Sequence, residues 1–237
     1  DPLWATLPDE PAAIAHQRRV EPGFDDWYRA NVVDHRTPGY AIVNLSLKSP
    51  GIAPGDLTAD QMDKVADLAE RFSLGELRVS HRQNLVFPDV RQQDLHTLWQ
   101  ELGDLSLATP NIGQLTDIIA CPGLDFCALA NARAIPVAQD IGRHFSDAAA
   151  LQDIGELTIN ISGCMNACGH HHVGHIGILG VEKNGLEFYQ LTLGGSSAED
   201  ASLGDRLGRS ISAAEVPIAI EAIVARYKAL RQADERF

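Results

Sequence analysis

Four cysteines, grouped in two short pairs, are the residues of this chain whose types and spacing point most directly to chemistry. Cys121 and Cys127 have C-x5-C spacing with Pro and Gly between them, and Cys164 and Cys168 have C-x3-C spacing between flanking glycines. A cubane iron–sulfur cluster needs four thiolates that converge from different directions, with backbone N–H groups donating to its sulfurs. Short loops rich in Gly and Pro supply that geometry. The pattern therefore predicts that all four cysteines bind one 4Fe-4S cluster.

Three other uses of the same cysteines stay open at this point. Two disulfides would be unusual with C-x3-C spacing and would be reduced in the cytosol. A structural zinc site in a non-catalytic binding module would use all four thiolates, although the C-x5-C pair lies at the edge of the usual zinc spacing. Buried, inert cysteines do not ordinarily occur as two loop pairs. The cluster is the interpretation that explains both pairs together.

The histidines that follow the second cysteine pair also need an interpretation. The run His170–His172 and the nearby His175 could bind a transition metal. The apolar strand expected at 176–181 follows them directly, and alternation along an extended chain turns neighbours to opposite faces. We therefore expect one or two of these rings to face a buried anionic cofactor and the others to be structural.

The hydrophobic pattern predicts an α+β fold for residues 39–107. Residues 40–47 alternate as a half-buried strand, and Thr58 with Gln61 forms a capping box that opens a helix ending near Gly75. Short strands follow at 77–79 and 85–87, and a second amphipathic helix carries Leu95, Leu98, Trp99 and Leu102. The order strand, helix, strand, strand, helix is typical of a ferredoxin-like sandwich.

The flanking regions complete a three-part division. Residues 1–38 are rich in Pro and charge, and we interpret them as an extended arm or linker that packs its aromatic residues, Trp4, Trp27 and Tyr28, on another surface. Residues 108–237 form the second domain, with an Ala-rich helix across 128–145 that opens beside Cys127. The positive end of that helix would favour the thiolate. Strands are expected at 157–162, 173–181 and 187–193, and a closing helix at 213–233.

Composition excludes several classes of function. A formal net charge of -13 argues against a nucleic-acid partner, because little here would neutralise phosphates. No apolar run approaches the roughly 20 residues that span a bilayer, and the start lacks the pattern of a signal peptide, so we expect a cytoplasmic protein with no membrane partner. The chain begins without Met, which suggests a fragment or a processed chain.

The segments around the cysteines resemble the two signature blocks of the nitrite and sulfite reductase family. The similar segments are 120–123 and 160–169, with further similarity at the loop 79–85 and at 174–180 and 191–195. The resemblance runs from about residue 24 to the closing helix. It implies a ferredoxin-like half-domain followed by a mixed α/β domain that binds sirohaem and a 4Fe-4S cluster, equivalent to the C-terminal half of the two-half family members.

The resemblance also implies roles for individual residues. Cys168, the last of the four cluster ligands, would be the thiolate shared between cluster and sirohaem iron, and Asn166 would approach the macrocycle from the same loop. Gln83 and Asn84 match a loop that reaches the sirohaem. Arg82 suits a bidentate pair with a sirohaem carboxylate, and an ordinary surface Arg in a hairpin turn is the equally acceptable alternative.

The expected function is therefore multi-electron reduction of sulfite to sulfide or of nitrite to ammonia. The partners implied are a small anionic substrate, an electron-donor protein (ferredoxin or flavoprotein), and the N-terminal half of the same enzyme if this chain is a fragment. In the family, the basic residues that bind the anion come mainly from that first half, and no equivalent set is recognisable here. A small single-repeat enzyme that dimerises is a further alternative.

Overall fold

The structure is a computed structural model that describes residues 11–232, 235 and 237. The chain divides into two compact units, which we describe separately. Of the described residues, the first takes in 11–49 together with Gly55–Ile112, and the second takes in Pro50–Pro54 together with those from Gly113 onward. The mixed α+β class expected from the sequence is confirmed. The proposed boundaries at 38/39 and 107/108 stay a prediction.

The first unit is a four-stranded antiparallel sheet with its helices packed on it. Its elements are α1 (Pro11–Val20), α2 (Pro22–Asn31), β1 (Val32–Asp34), β2 (Tyr40–Leu45), α3 (Ala59–Phe72), β3 (Arg78–Val79), β4 (Leu85–Arg91) and α4 (Leu95–Asp104). The strand order is β1-β2-β4-β3. Thr58 and Gln61 form the predicted capping box at the start of α3, which buries Val65, Leu68 and Ala69 against the sheet.

The extended arm expected at the N-terminus is wrong for residues 11–31, which form α1 and α2. Phe24 and Trp27 are fully buried in the same core as the sheet, with ring centroids 6.0 Å apart. The Pro content of this segment had favoured an extended chain. Pro22, however, lies in the first turn of α2, where no hydrogen bond from its nitrogen is needed. Trp4 lies outside the described residues.

Strand β4 also continues further than predicted. The sequence suggested that it ends before Pro88, but the strand runs to Arg91. The pairing of β2 with β4 shifts register between Ala41 and Val43, where Ala41 faces Val90 and Val43 faces Phe87. Pro88 lies within this irregularity, so a ladder hydrogen bond from its nitrogen is not needed.

The second unit is a five-stranded mixed sheet in the order β5-β6-β7-β8-β9. Its elements are β5 (Ile119–Ala120), α5 (Ile135–His144), α6 (Ala148–Ile154), β6 (Ile159–Ser162), β7 (Ile176–Lys183), β8 (Leu186–Leu193), β9 (Asp205–Ile211) and α7 (Val216–Leu230). Strands β5, β6 and β7 are parallel, and β7, β8 and β9 are antiparallel. The buried core includes Ile141 of α5, Ile161 of β6 and Ile220 of α7.

Two expectations for the second unit need correction. The helix expected across 128–145 begins only at Ile135, because residues 127–134 form turns. Strand β9 was not predicted, since its first five residues are exposed and lack the alternation that identifies a half-buried strand. In the described part of the chain, no helix is long and apolar enough to cross a bilayer.

Candidate metal and cofactor site

Both cysteine loops leave the second unit's sheet at the same edge. Strand β5 ends at Ala120, next to Cys121, and strand β6 ends at Ser162, two residues before Cys164. The two strands are parallel neighbours, with Ala120 opposite Ile161, so their carboxyl ends lie side by side. The backbone N–H of Cys121 donates to the carbonyl of Ile161 at 3.0 Å and extends this pairing into the loop. The fold therefore places the first cysteine of each pair at neighbouring strand ends.

The peptide groups of Gly163 join the two loops. Its N–H donates to Cys121 Sγ at 3.0 Å. Its carbonyl accepts from the N–H groups of Asn131 and Ala132 at 2.9 Å and 3.0 Å. A backbone N–H aimed at a cysteine sulfur stabilises the thiolate, and amide donors to sulfur are a recognised feature of iron–sulfur sites. This arrangement fits a cluster ligand at Cys121.

Glycine is required at the contact between the loops. A Cβ built on Gly163 would lie 2.6 Å from Ala132 O and 2.9 Å from Gly123 Cα. Gly123 has φ +60°, and a Cβ there would lie 2.5 Å from the backbone nitrogen of Ala134. The clashing atoms belong to the backbone, so no side-chain movement could relieve them. The two glycines thus allow the cysteine loops to pack directly on each other.

The second cysteine loop folds back over the end of β6. Gly169 comes so close to this strand that a Cβ would lie 1.9 Å from Ile161 O. Asn160 Nδ2 donates to the carbonyl of Gly169 at 3.0 Å. Ala167 and His170 adopt left-handed backbone conformations, with φ of 56° and 53°. Strained non-glycine residues of this kind concentrate at functional sites.

The four cysteines differ in exposure. None is in a disulfide; Cys121 and Cys164 are buried, Cys127 is half-buried, and Cys168 is exposed. Asn166 is exposed on the same loop as Cys168. The loops also expose large apolar side chains, with Phe126 82% and Met165 84% accessible, as well as Leu124 and Leu129. Both cysteine loops thus carry exposed apolar side chains, which we call the apolar rim.

No helix begins beside Cys127, contrary to the prediction. A single 3-10 turn at Gly123–Asp125 precedes Cys127, and the N–H of Cys127 donates to the carbonyl of Gly123 at 2.8 Å.

Among the described residues, no group of three or more His, Cys, Asp or Glu could hold a single metal ion. Nothing in this part of the chain supports the zinc-stabilised alternative. A cubane cluster differs from such a site, because its four thiolates bind four separate irons.

The histidines after Cys168 occupy different environments. His171 is 2% exposed, and its Nδ1 has no hydrogen-bond partner within the described structure. Burial, with the neighbouring His172 as a smaller cause, lowers the pKa of His171 to about 4, so the ring is neutral at pH 7. His175 Nδ1 accepts from the N–H of Thr158 at 3.2 Å, which gives this ring a structural contact. His170 and His172 are exposed.

In the first unit, Arg82, Gln83 and Asn84 lie on the turn between β3 and β4. Asn84 is 3% exposed, and its Oδ1 accepts from the N–H of Leu47 at 3.1 Å. Arg82 and Gln83 are half-buried. The turn also contacts Lys48, a buried residue whose Nζ donates to the carbonyl of Arg82 at 2.6 Å. Sequence reasoning missed Lys48, because a Lys at the end of a strand pattern is ordinarily a solvated residue.

The variant Gly163→Ala tests whether the contact between the two cysteine loops is needed for stability and iron binding. The added methyl group should push 123–132 away from 163, destabilise the chain by about 1–3 kcal/mol, and lower the iron bound per chain. Thermal unfolding and iron analysis measure both effects. Gly103→Ala is the matched control, because a Cβ there meets nothing within 4 Å. Equal iron content in the two variants would contradict the proposed contact.

Comparison with known proteins agrees with this geometry. Residues 36–105 match the nitrite/sulfite reductase ferredoxin-like half domain. Residues 113–237, more than half of the chain, match the nitrite and sulphite reductase 4Fe-4S domain. The cofactors expected from the sequence, a 4Fe-4S cluster and sirohaem, are those of this family.

Individual relatives give the same result. The chain is 29% identical over 220 residues to sulfite reductase (ferredoxin) 2 of Mycolicibacterium paratuberculosis, covering 88% of this chain and 39% of that protein. It is 31% identical to the assimilatory ferredoxin-dependent nitrite reductase of Haloferax mediterranei, covering 86% of this chain and 35% of the relative. The Mycobacterium tuberculosis NirA structure matches with a TM-score of 0.70 and 25% identity, over 87% of this chain and 38% of NirA. The chain thus spans little more than a third of the length of these relatives, and it belongs to the nitrite and sulfite reductase family.

Proposed function

We propose that this chain is the cofactor-bearing part of a sulfite or nitrite reductase. Cys121, Cys127, Cys164 and Cys168 would bind the 4Fe-4S cluster. The observation that carries this proposal is the hydrogen bond from Gly163 to Cys121 Sγ, because it brings the two cysteine loops together and already directs an amide at a ligand sulfur. The 4Fe-4S domain description of the matching family supports the same assignment.

Cys168 is the thiolate that we propose to be shared with sirohaem. It is the exposed member of the four, while Cys121 and Cys164 are buried. A shared thiolate has to present its sulfur to the cluster on one side and to the sirohaem iron on the other, which suits a position at the surface of the loop. Asn166, exposed two residues earlier, would contact the macrocycle.

Arg82 and Gln83 are the first-unit side chains that we propose to contact sirohaem. Arg82 suits a carboxylate of the macrocycle, because a guanidinium binds a carboxylate through two parallel hydrogen bonds. Asn84 was predicted to contact the cofactor too. Since its side chain is buried and its Oδ1 binds the backbone of Leu47, we propose that Asn84 contributes by holding the loop.

When bound, sirohaem and the cluster would supply the electrons for reduction of sulfite or nitrite. The protein's own contribution is to direct amides at sulfur, exclude water and orient the macrocycle. Ferredoxin is the donor that the names of the sulfite and nitrite reductase relatives support, and a flavoprotein is the alternative. Relatives of both kinds match almost equally well, and the proposal therefore covers both anions.

A second part of the protein would complete the site. The chain spans 39% and 35% of the lengths of the two relatives. The apolar rim formed by Leu124, Phe126, Leu129 and Met165 is a surface that sirohaem and an N-terminal half could cover. The alternative is a single-repeat enzyme in which a second copy covers this rim.

The assignment of Cys168 predicts a spectroscopic difference between two serine variants. Cys168→Ser should abolish the magnetic coupling between sirohaem and cluster, because the shared sulfur is lost, whereas Cys164→Ser should alter the cluster and leave any coupling in the remaining centres intact. Electron paramagnetic resonance of the reduced proteins measures this. Coupling that survives in Cys168→Ser and disappears in Cys164→Ser would reverse the assignment.

The need for a second half predicts little activity from this chain alone. The isolated 237 residues should lose sirohaem on gel filtration and reduce sulfite and nitrite slowly with an artificial donor, because only one face of the macrocycle is covered. Adding the N-terminal half should restore sirohaem retention and turnover. Full turnover by this chain as a monomer would contradict the two-half proposal, and full turnover as a dimer would favour the single-repeat enzyme.

A further inference from the structure

The turn between β3 and β4 places a glutamine where a hairpin ordinarily places glycine. Ser80 and Asn84 close the loop, with the N–H of Ser80 donating to the carbonyl of Asn84 at 2.8 Å and that of Gln83 donating to Ser80 O at 3.2 Å. Gln83 has φ +57°. A three-residue hairpin loop of this type needs a left-handed residue at its last position, and Gly is the usual choice. The loop therefore retains a side chain at Gln83 despite local strain.

Lys48 is directed at this loop from inside the first unit. The residue is 3% exposed, and its Nζ donates to the carbonyl of Arg82, one residue before Gln83, at 2.6 Å. A buried ammonium is costly unless its hydrogen bonds are well made. A backbone carbonyl that accepts from a charged donor is held more firmly than one that accepts from a neutral donor. The contact thus fixes the peptide group that precedes the left-handed residue.

A buried polar network fixes Lys48 in turn. Asn111 Nδ2 donates to the carbonyl of Lys48 at 3.1 Å, and Asn111 Oδ1 accepts from Ser46 Oγ at 2.6 Å. Asn84, at the end of the loop, accepts from the N–H of Leu47 at 3.1 Å. Residues 46–48 are therefore tied to both the loop and Asn111.

Gly55 approaches the loop from another side. A Cβ built on Gly55 would lie 3.3 Å from the Cβ of Gln83. The N–H of Gly55 donates to the carbonyl of Leu47 at 3.0 Å, which attaches it to the same strand extension. A side chain at position 55 would thus press on Gln83, and glycine there leaves room for it.

We infer that Lys48 is a positioning residue that holds the Arg82 peptide and the left-handed Gln83, so that the Arg82 and Gln83 side chains are presented in one fixed arrangement to sirohaem. This inference rests on the proposed function, since it takes sirohaem as the group that these side chains contact. Lys48 acts through the loop and not by direct contact with the cofactor.

The first test is Lys48→Met in the full natural holoprotein. Methionine keeps the length and apolar stem of the side chain and removes the charged donor. The release of sirohaem, followed by its visible absorbance, should become about tenfold faster, as expected for the loss of one charged hydrogen bond. The melting temperature should fall only slightly, because the cost of leaving the Arg82 carbonyl without this donor is offset by the relief of no longer burying an ammonium. Lys64→Met is the matched control, because Lys64 is exposed and its 3.6 Å ion pair with Asp67 lies at the surface.

A double-mutant cycle with Gln83→Gly separates positioning from a general structural effect. Glycine adopts the left-handed conformation without strain. Gln83→Gly alone should speed sirohaem release, because the side chain is lost, and adding Lys48→Met to it should speed release by less than about threefold more. Multiplication of the two effects would overturn the inference, as would release at the wild-type rate from Lys48→Met.

Two further outcomes also test the inference: a Lys48→Met variant that does not fold, and a wild type that lacks sirohaem. If Lys48→Met does not fold, the cycle is run with Lys48→Gln, which keeps a neutral N–H donor and should show a smaller increase with the same non-additivity. Wild-type release from Lys48→Gln in that case would overturn the inference. A wild-type holoprotein that contains no sirohaem would overturn the proposed function itself. A wild type that contains sirohaem, with no effect of Lys48, would overturn the positioning role alone.

Discussion

The second unit depends on one backbone contact, in which Gly163 joins the two cysteine loops. Its N–H donates to Cys121 Sγ, and its carbonyl accepts from the N–H groups of Asn131 and Ala132. The contact is available because β5 and β6 are parallel neighbours, so that the chain leaves both strands at one edge. It also requires glycine, because any Cβ at Gly163 would collide with the opposite loop's backbone. The pairing of β5 with β6 thus brings the two cysteine loops into direct contact.

Main-chain groups do most of the positioning in both units. In the second unit, the loop after β6 is folded back through the carbonyl of Gly169 and through the left-handed Ala167 and His170. In the first unit, Lys48 binds a carbonyl of the turn that carries Gln83. In both units the hydrogen bonds that fix these loops therefore go to backbone carbonyls. Loops that are fixed through their backbone suit the binding of large cofactors, because their side chains are not needed to hold the loop.

The sequence predicted those features that depend on local spacing. The capping box at Thr58, the strand at Tyr40–Leu45 and the loop positions of the cysteines follow from rules that act over a few residues. Features that depend on tertiary context were missed. The Pro content of residues 1–38 favoured an extended arm and Pro88 favoured a strand end, although a helix start accommodates Pro22 and a register shift accommodates Pro88. Lys48 is buried, and its carbonyl accepts from Asn111, which is 63 residues away along the chain.

The central claim is that the four cysteines bind one 4Fe-4S cluster. The most direct measurement is the content of iron, acid-labile sulfide and zinc in the natural protein purified without oxygen, corrected for the iron of any sirohaem. The account predicts about four irons and about four sulfides per chain in addition to that iron, with no stoichiometric zinc. One zinc per chain without acid-labile sulfide would contradict the account and would assign the same cysteines to a structural metal site.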